Sequence, residues 1–188
     1  MSTYDGHLPP AFVADGDGRP MHSWRVLLLP FLDQSALYNA YNFAEPWDGP
    51  NNRKLADKVG SIYRRPGDEP GSTLTQFVAV VGEETVFPGA RSIKVDEITD
   101  GTAKTILFVE VADSDIPWME PRDLAFDRMP MRVNAPGTHA PRIGSTYPDV
   151  RIAFADGSIR RIKDAIAPKT LRALLTAKGG EVVEDGDW

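Results

Sequence analysis

The chain of 188 residues contains no cysteine and no long hydrophobic run. Without cysteine it forms no disulfide, carries no thiolate nucleophile and offers no Cys-ligated zinc or iron–sulfur site. The longest apolar run, residues 26–32, is far shorter than the roughly 20 residues that cross a bilayer. The first residues, 1–5, lack the basic and apolar regions of a secretory signal. We therefore expect this chain to fold as a soluble protein.

Basic residues are fewer than acidic ones, and there are only 3 histidines. The chain carries 21 Lys and Arg against 27 Asp and Glu, a net charge of −6, which repels a phosphate backbone and argues against nucleic-acid binding. The histidines His7, His22 and His139 lack the HxH or HExxH spacing of metal sites. Ser158 lies outside a Gly-x-Ser-x-Gly elbow, and no nucleophile, base and orienting group stand at a recognisable spacing. We therefore expect the protein not to be an enzyme.

Glycine and proline are plentiful, at 16 residues each, and they divide the N-terminal part into short helices. Ser23 is placed to cap a helix that Pro30 must break, and a second helical segment restarts at Asp33 or Ser35. Asn51 or Asn52 is placed to cap a further short helix that runs to Val59.

The rest of the chain is dominated by strand patterns. β-rich residues fill 73–82, and residues 105–111 are almost continuously apolar, which predicts a central strand covered on both faces. Alternating residues on either side of Asp156-Gly157 predict a hairpin, and Pro168 opens a last helix that ends at Gly179-Gly180. Helices first and strands later favour an α+β fold with an antiparallel sheet. We expect one globular domain over residues 1–188.

Residues 113–149 are rich in proline and poor in periodicity, which predicts a long loop excursion. Loops commonly carry function, so Trp118 in this segment is the aromatic residue most expected to be exposed. With Glu120, Arg122 and Asp123 it forms the candidate ligand-binding group, for example for a sugar ring stacked on the indole. The alternative is that Trp118, like Trp24 and the other aromatic residues, is a buried anchor of the core or of a loop.

Asp-Gly dipeptides recur along the chain and are densest at Asp15 and Asp17, the candidate calcium ligands. The alternative is that these aspartates, like those of Asp100-Gly101 and Asp156-Gly157, accept backbone hydrogen bonds in turns. Calcium is the one cofactor that this pattern suggests.

Glu110 lies inside the most apolar strand and must be paired if it is buried. Arg160 or Arg161 of the hairpin is its expected partner, in a structural role.

Several strings together resemble the bacterial DUF1559 family, through their order and spacing from about residue 4 to about residue 181. In the N-terminal part they are HLPPA at 7–11, SWRVLLLPFLDQ at 23–34, Leu37-Tyr38, Tyr41-Asn42, Pro46-Trp47 and Asn51-Asn52. Farther along they are ITDGT at 98–102, TIL at 105–107, PWMEP at 117–121 and FADGS at 154–158.

The resemblance implies an exported protein of the pseudopilin or type IV pilin kind, as in type II secretion. Full-length members begin with a prepilin-type signal and an anchor helix, so this chain would be the head domain that follows them. The implied fold packs N-terminal helical segments on an antiparallel sheet, with long loops and a short C-terminal helix. The implied partners are other pilin-like subunits or envelope components, on the periplasmic or extracellular face, with membrane contact only through the missing helix. A solute-binding label is also attached to the family.

Two positions depart from the family pattern. Residues 65–68 read RPGD where members often carry a Cys-Pro-Ser-like turn, so no thiol role carries over. His139 stands farther from Asp156-Gly157 than the family spacing. The leading hypothesis is a non-enzymatic structural or interaction head, and the alternative is an extracellular module that binds a carbohydrate or small solute.

Overall fold

The chain begins with a small hairpin and short helices and continues into an antiparallel sheet. A computed structural model describes residues 6–64, 67, 69–137, 141–145, 150–184, 186 and 188. The strands are β1 (Phe12–Ala14), β2 (Pro20–Ser23), β3 (Phe77–Val78), β4 (Val80–Val81), β5 (Ile106–Ala112), β6 (Leu124–Ala125), β7 (Arg142–Ile143), β8 (Val150–Phe154) and β9 (Ile159–Ile162). The α-helices are α1 (Trp24–Leu28), α2 (Ser35–Ala40) and α3 (Pro168–Leu175), and 3₁₀ helices cover Leu29–Leu32, Asn52–Lys58, Val95–Glu97 and Thr102–Lys104. The predicted α+β class is confirmed.

Strand β5 is central, as predicted. The main sheet has the order β3-β5-β8-β9, and β7 also pairs with β5, all antiparallel. A register shift between Ile106 and Phe108 reverses the side-chain alternation near the start of β5. Val109 and Val111 therefore share one buried cluster with Ile106, whereas Phe108 packs against a second cluster on the other face.

The two faces of β5 are covered by different parts of the chain. The first cluster takes in β8 and the apolar side of α3, including Leu171, Leu174 and Leu175. The second is built from the N-terminal helices and loops, and Trp24 of α1 stacks on Phe108 with ring centroids 4.1 Å apart.

The N-terminal helices begin and end where the sequence predicts. Ser23 caps α1, its Oγ accepting a hydrogen bond from the Arg25 N–H at 3.2 Å. Pro30 falls in the 3₁₀ turn that ends α1, and Asp33 closes that turn with a left-handed φ of 57°. The second helix then starts at Ser35. Among the described helices, none combines the length and apolarity of a membrane span.

The strand predicted over 73–82 is divided in two, which corrects the sequence interpretation. β3 pairs with β5, whereas β4 pairs in parallel with β6. At Ala79, between the two pieces, the N–H donates to the Asp123 Oδ1 at 2.8 Å. The Asp123 carboxylate thus accepts from the backbone N–H that a continuous strand would donate to its neighbour. The chain passes from one sheet to the other at this residue.

Glu110 bonds to partners other than the predicted arginines. Its Oε1 accepts from the Ser145 Oγ at 3.0 Å, and its Oε2 accepts from the Arg151 N–H at 3.0 Å. Arg160 instead lies over the rings of Phe154 and Trp188. The buried carboxylate therefore joins the end of β7 to the start of β8.

The turns at Asp156-Gly157 and Asp100-Gly101 differ in the backbone groups that their aspartates bond to. Asp156 Oδ1 accepts from the Ser158 N–H at 2.8 Å, and Gly157 has a φ of 85°, in the predicted hairpin turn. Asp100 accepts from the Gly180 N–H at 2.9 Å and from the Gly179 N–H at 2.7 Å.

Helix α3 ends at Leu175, before the predicted Gly179-Gly180 end. The reason is that Thr176 takes an extended conformation, with a ψ of 151°, and the next N–H, that of Ala177, donates to the Glu84 carbonyl at 2.9 Å. Gly101, with a φ of 93°, lets the chain turn next to Asp100.

Asn52 is buried at the start of a 3₁₀ helix, but it does not cap it as predicted. Its Oδ1 accepts from the Asn42 N–H at 2.9 Å, and its Nδ2 donates to the carbonyls of Asn42 at 2.9 Å and Pro46 at 3.0 Å. Glu45 Oε1 instead accepts from the backbone N–H groups of Asn51 and Asn52. The side chain of Asn52 therefore fixes the loop that precedes it.

We expect Asn52→Asp to destabilise the fold by about 3 kcal/mol or more, because it places a carboxylate against the carbonyl oxygens of Asn42, Glu45 and Pro46 in a buried site. Urea titration measures the free energy of unfolding. Asn51→Asp, next to it but exposed, is the matched control and should cost less than about 1 kcal/mol. Equal losses in the two variants would contradict the proposed role of the Asn52 amide.

His22 is a buried histidine whose hydrogen bonds define its tautomer. Its Nε2 lies 3.2 Å from the Phe43 carbonyl oxygen, which only accepts, so Nε2 donates. The other nitrogen, Nδ1, then accepts from the Tyr41 hydroxyl at 3.0 Å. Burial lowers the pKa of His22 below its ordinary value of 6.5, against the opposing effect of the Phe43 carbonyl.

A lowered histidine pKa makes stability depend on pH. The unfolded chain takes up the proton first, so the contribution of neutral His22 is complete above pH 6.5 and is lost as pH falls from 6.5 through the lower folded pKa. We expect the free energy of unfolding to decrease between about pH 7.5 and about pH 5.5. His22→Gln should remove most of this decrease, and His7→Gln should leave it in place. An unchanged slope in His22→Gln would refute the assignment.

Candidate functional site

Trp118, the centre of the predicted binding group, is buried. Its exposed fraction is 1%. The indole Nε1 donates to the Ala56 carbonyl at 2.8 Å, and the ring stacks against Tyr63 with centroids 6.0 Å apart. The exposure considered for Trp118 is therefore wrong, and the alternative, a buried anchor, is confirmed: the 3₁₀ helix Asn52–Lys58 and Tyr63 cover the ring.

Asp123 is also buried, and it belongs to an ion pair with Arg25. The Arg25 Nη2 lies 2.6 Å from the Asp123 Oδ1, and the two side chains are 0% and 2% exposed. The same oxygen accepts from the Trp24 Nε1 at 3.2 Å, in addition to the Ala79 N–H.

Arg25 makes three further hydrogen bonds. Its Nε donates to the Phe77 carbonyl at 3.0 Å, and its Nη1 donates to the Ser23 Oγ at 2.9 Å and to the Glu120 carbonyl at 3.4 Å. The guanidinium therefore connects α1, β3 and the loop before β6.

Burial dominates the electrostatics of this pair. Desolvation raises the pKa of the Asp123 carboxyl, against the opposing effects of the Arg25 charge and the Ala79 N–H. Burial likewise raises the pKa of Tyr63, whose hydroxyl donates to the Arg25 carbonyl at 2.7 Å. Removing one charge of such a pair leaves the other uncompensated in the interior. The geometry is that of a structural ion pair between elements far apart in sequence.

Glu120 and Arg122 lie at the surface of the same loop. The Arg122 Nε lies 2.8 Å from the Glu120 Oε1, and its Nη1 lies 2.9 Å from the Asp115 Oδ1. The predicted group is thus divided, with Trp118 and Asp123 inside and Glu120 and Arg122 paired outside. The binding role of these four residues stays a prediction.

Asp15 and Asp17, the candidate calcium ligands, sit in the turn between β1 and β2. Asp15 Oδ1 accepts from the backbone N–H groups of Asp17 at 2.9 Å and Arg19 at 2.8 Å. Asp17 lies 3.6 Å from the Arg19 guanidinium. Among the described residues, no three acidic or histidine side chains converge on a metal position. Calcium at this turn stays a prediction.

A groove of about 890 Å³ lies beside the N-terminal segment, and it is called here the N-terminal groove. Its apolar wall is formed by Leu28, Phe31, Leu32, Leu107 and Phe108, and residues 6–9, 94–96 and 155–157 complete its lining. Phe31 is 51% exposed. The α1 region therefore presents large apolar side chains to solvent next to the first described residues of the chain.

A second cavity of about 430 Å³ lies on the sheet face beneath α1, and we call it the sheet pocket. Its lining includes Trp24, Ile62, Tyr63, Phe108, Ile159 and Arg151. It shares Leu28, Leu32 and Phe108 with the N-terminal groove, so the two cavities adjoin.

The sequence interpretation missed Arg25, Phe31 and Arg151. Arg25 stands inside the apolar string at 23–34, and a charge in such a run must find a buried partner. The same rule predicts a buried partner for Glu110. Phe31 has no comparable signal, because the pattern of apolar residues does not say which of them are partly exposed in the fold.

Residues 1–85 match the model of the family SBP_bac_10, described as a protein of unknown function (DUF1559). The N-terminal part of the chain belongs to the DUF1559 family. The match contains all the N-terminal strings on which the resemblance was based. Neither the search of curated proteins nor the search of solved structures found a match.

In the matched part of the chain these strings form the N-terminal helices and the loop fixed by Asn52. His139, Arg65, Pro66 and Asp68 lie outside the described residues. The two departures from the family pattern that involve them therefore stay predictions. The strings beyond residue 85, at 98–102, 117–121 and 154–158, lie outside the match, and for them the resemblance stays a prediction.

We expect Asp123→Asn to cost about 3 to 5 kcal/mol of unfolding free energy, because it leaves the Arg25 guanidinium buried without a counter-charge. Arg25→Met combined with Asp123→Asn should cost less than the sum of the two single substitutions. Arg122→Gln, which removes a partly exposed pair on the same loop, is the control and should cost about 1 kcal/mol or less. Additive losses in the double variant would contradict direct coupling of the two side chains.

Proposed function

We propose that this DUF1559 protein is a non-enzymatic structural or interaction protein of the cell envelope, the head of a pseudopilin-like or type IV pilin-like subunit. In this proposal an apolar helix precedes the described residues and anchors the head or packs with other subunits. The head faces the periplasm or the exterior and contacts pilin-like subunits or envelope components.

The observation that carries the proposal is the N-terminal groove. Phe31 and Leu32 are 51% and 37% exposed on its wall. Burial of apolar surface is favourable by about 25 cal/mol per Å². A partner that packs on this wall would therefore be stabilised by the apolar area that it covers. The groove also begins at residues 6–9, where a preceding helix would join the head.

The charges of the molecule support the same proposal. Arg25 and Asp123 are hydrogen-bonded in the interior and hold the N-terminal helices on the sheet. The net charge of −6 disfavours nucleic acid as a partner. The exposed side chains of the groove, Phe31 and Leu32, favour an apolar contact with another protein segment.

A second candidate function is the binding of a small solute, and the sheet pocket favours it. A volume of about 430 Å³ and a mostly apolar lining are typical of small-molecule sites. A sugar platform built on Trp118 has less support, because that indole is covered.

The pilin-like proposal is tested in the native full-length protein by placing a photo-crosslinking phenylalanine analogue at Phe31. We expect crosslinks to another subunit or to an envelope protein, because Phe31 lies on the wall of the groove. The same analogue at Val182, which is 88% exposed and outside the groove, is the matched control and should give few. Immunoblots of irradiated envelope fractions measure the products.

Two results would count against the pilin-like proposal. One is recovery of the full-length protein in the cytosolic fraction, together with a native gene that encodes no apolar stretch of about 20 residues before this region. The other is equal crosslinking from Phe31 and Val182.

A further inference from the structure

We propose that the sheet pocket binds an anionic amphiphile, an alkyl or aryl carboxylate whose apolar body fills the pocket and whose carboxylate pairs with Arg151. This inference deepens the small-solute alternative, and it does not depend on the pilin-like proposal.

The shape and lining of the pocket define the apolar part of the ligand. The volume of about 430 Å³ falls within the roughly 300–1,000 Å³ of typical ligand pockets. Trp24 and Phe108 stack at one side of the pocket, and Ile159, which is 72% exposed, lies at its open edge. An alkyl chain or an aromatic ring that enters would cover apolar surface that is now open to water.

The polar groups of the lining define the head of the ligand. Tyr63 directs its hydroxyl to the Arg25 carbonyl, away from a role in binding. Arg151 is the one charged residue in the described lining, and it is exposed. A single cation at the rim of an apolar pocket is the arrangement that orients a carboxylate.

The strand register places a second arginine opposite Arg151. Arg151 of β8 lies directly opposite Arg161 of β9, and like charges in that position repel each other. The nearby Glu110 carboxylate accepts from the Arg151 N–H and the Ser145 hydroxyl, and it does not line the pocket. A ligand carboxylate over Arg151 would pair with the one charged side chain in the described lining of the pocket.

The test compares decanoate, decanol and decylammonium, each below its aggregation concentration, by isothermal titration calorimetry. The three probes share one chain and differ in the charge of the head. We expect decanoate to bind about threefold to tenfold more tightly than decanol, and decylammonium to bind most weakly. Arg151→Gln should abolish the preference for decanoate and keep the binding of decanol. Arg19→Gln removes the same charge from the β1–β2 turn, and it should keep the preference.

A filling substitution tests the location. Ala153 lies on the pocket lining, paired with Ile159 across β8 and β9. Ala153→Phe should weaken the binding of all three probes, and thermal unfolding checks that this variant folds. If it does not fold, chemical-shift perturbation in the wild-type protein, centred on Ala153 and Ile159, gives the same information.

Three outcomes would overturn the inference: no binding of any probe, equal affinity for the three heads, or a preference that survives Arg151→Gln. A dimer that Ile159→Asp dissociates, without decanoate binding, would assign this face to a second copy of the chain. All these measurements use the isolated protein, so they can fail while the crosslinks from Phe31 in cells succeed, and the reverse also holds.

Discussion

The ion pair between Arg25 and Asp123 is the interaction on which the arrangement of the fold depends. The guanidinium of Arg25, which α1 carries, bonds to β3 and to the loop before β6, and one carboxylate oxygen accepts from Trp24, Arg25 and Ala79. Because these groups come from three distant parts of the sequence, the pair fixes how the N-terminal helices sit on the sheet. A buried pair of this kind is weak evidence of net stability, since burial penalises both charges. Its physical effect is specificity of position.

Both cavities follow from that position. With Trp24 stacked on Phe108, α1 covers only part of the sheet face, and the side chains that follow α1 extend beyond it. Phe108 lines both the N-terminal groove and the sheet pocket. The two proposed functions therefore use adjoining cavities. The proposed occupant of the N-terminal groove is a protein segment, and that of the sheet pocket is a small molecule.

Much of the fold could be predicted from local signals. Ser23, Pro30 and Asp156-Gly157 act through the backbone of their own neighbourhood, so the elements they start or stop were found. The division of the strand at Ala79 could not be found, because it depends on a carboxylate 44 residues away. The candidate site was predicted less well for the same reason. A loop composition predicts exposure only on average, and Trp118 is covered by a helix that no local pattern connects to it.

Glu110 has a consequence for how the chain can vary in length. Its carboxylate accepts hydrogen bonds from Ser145, just after β7, and from Arg151 in β8, so one side chain of β5 fixes the chain at both points. Lengthening a loop between fixed ends costs only about 0.6 kcal/mol for each doubling. We therefore expect an insertion between Ser145 and Arg151 to leave the pairing of β8 with β9 unchanged. A chain built in this way can accumulate length differences next to its sheet without losing the sheet.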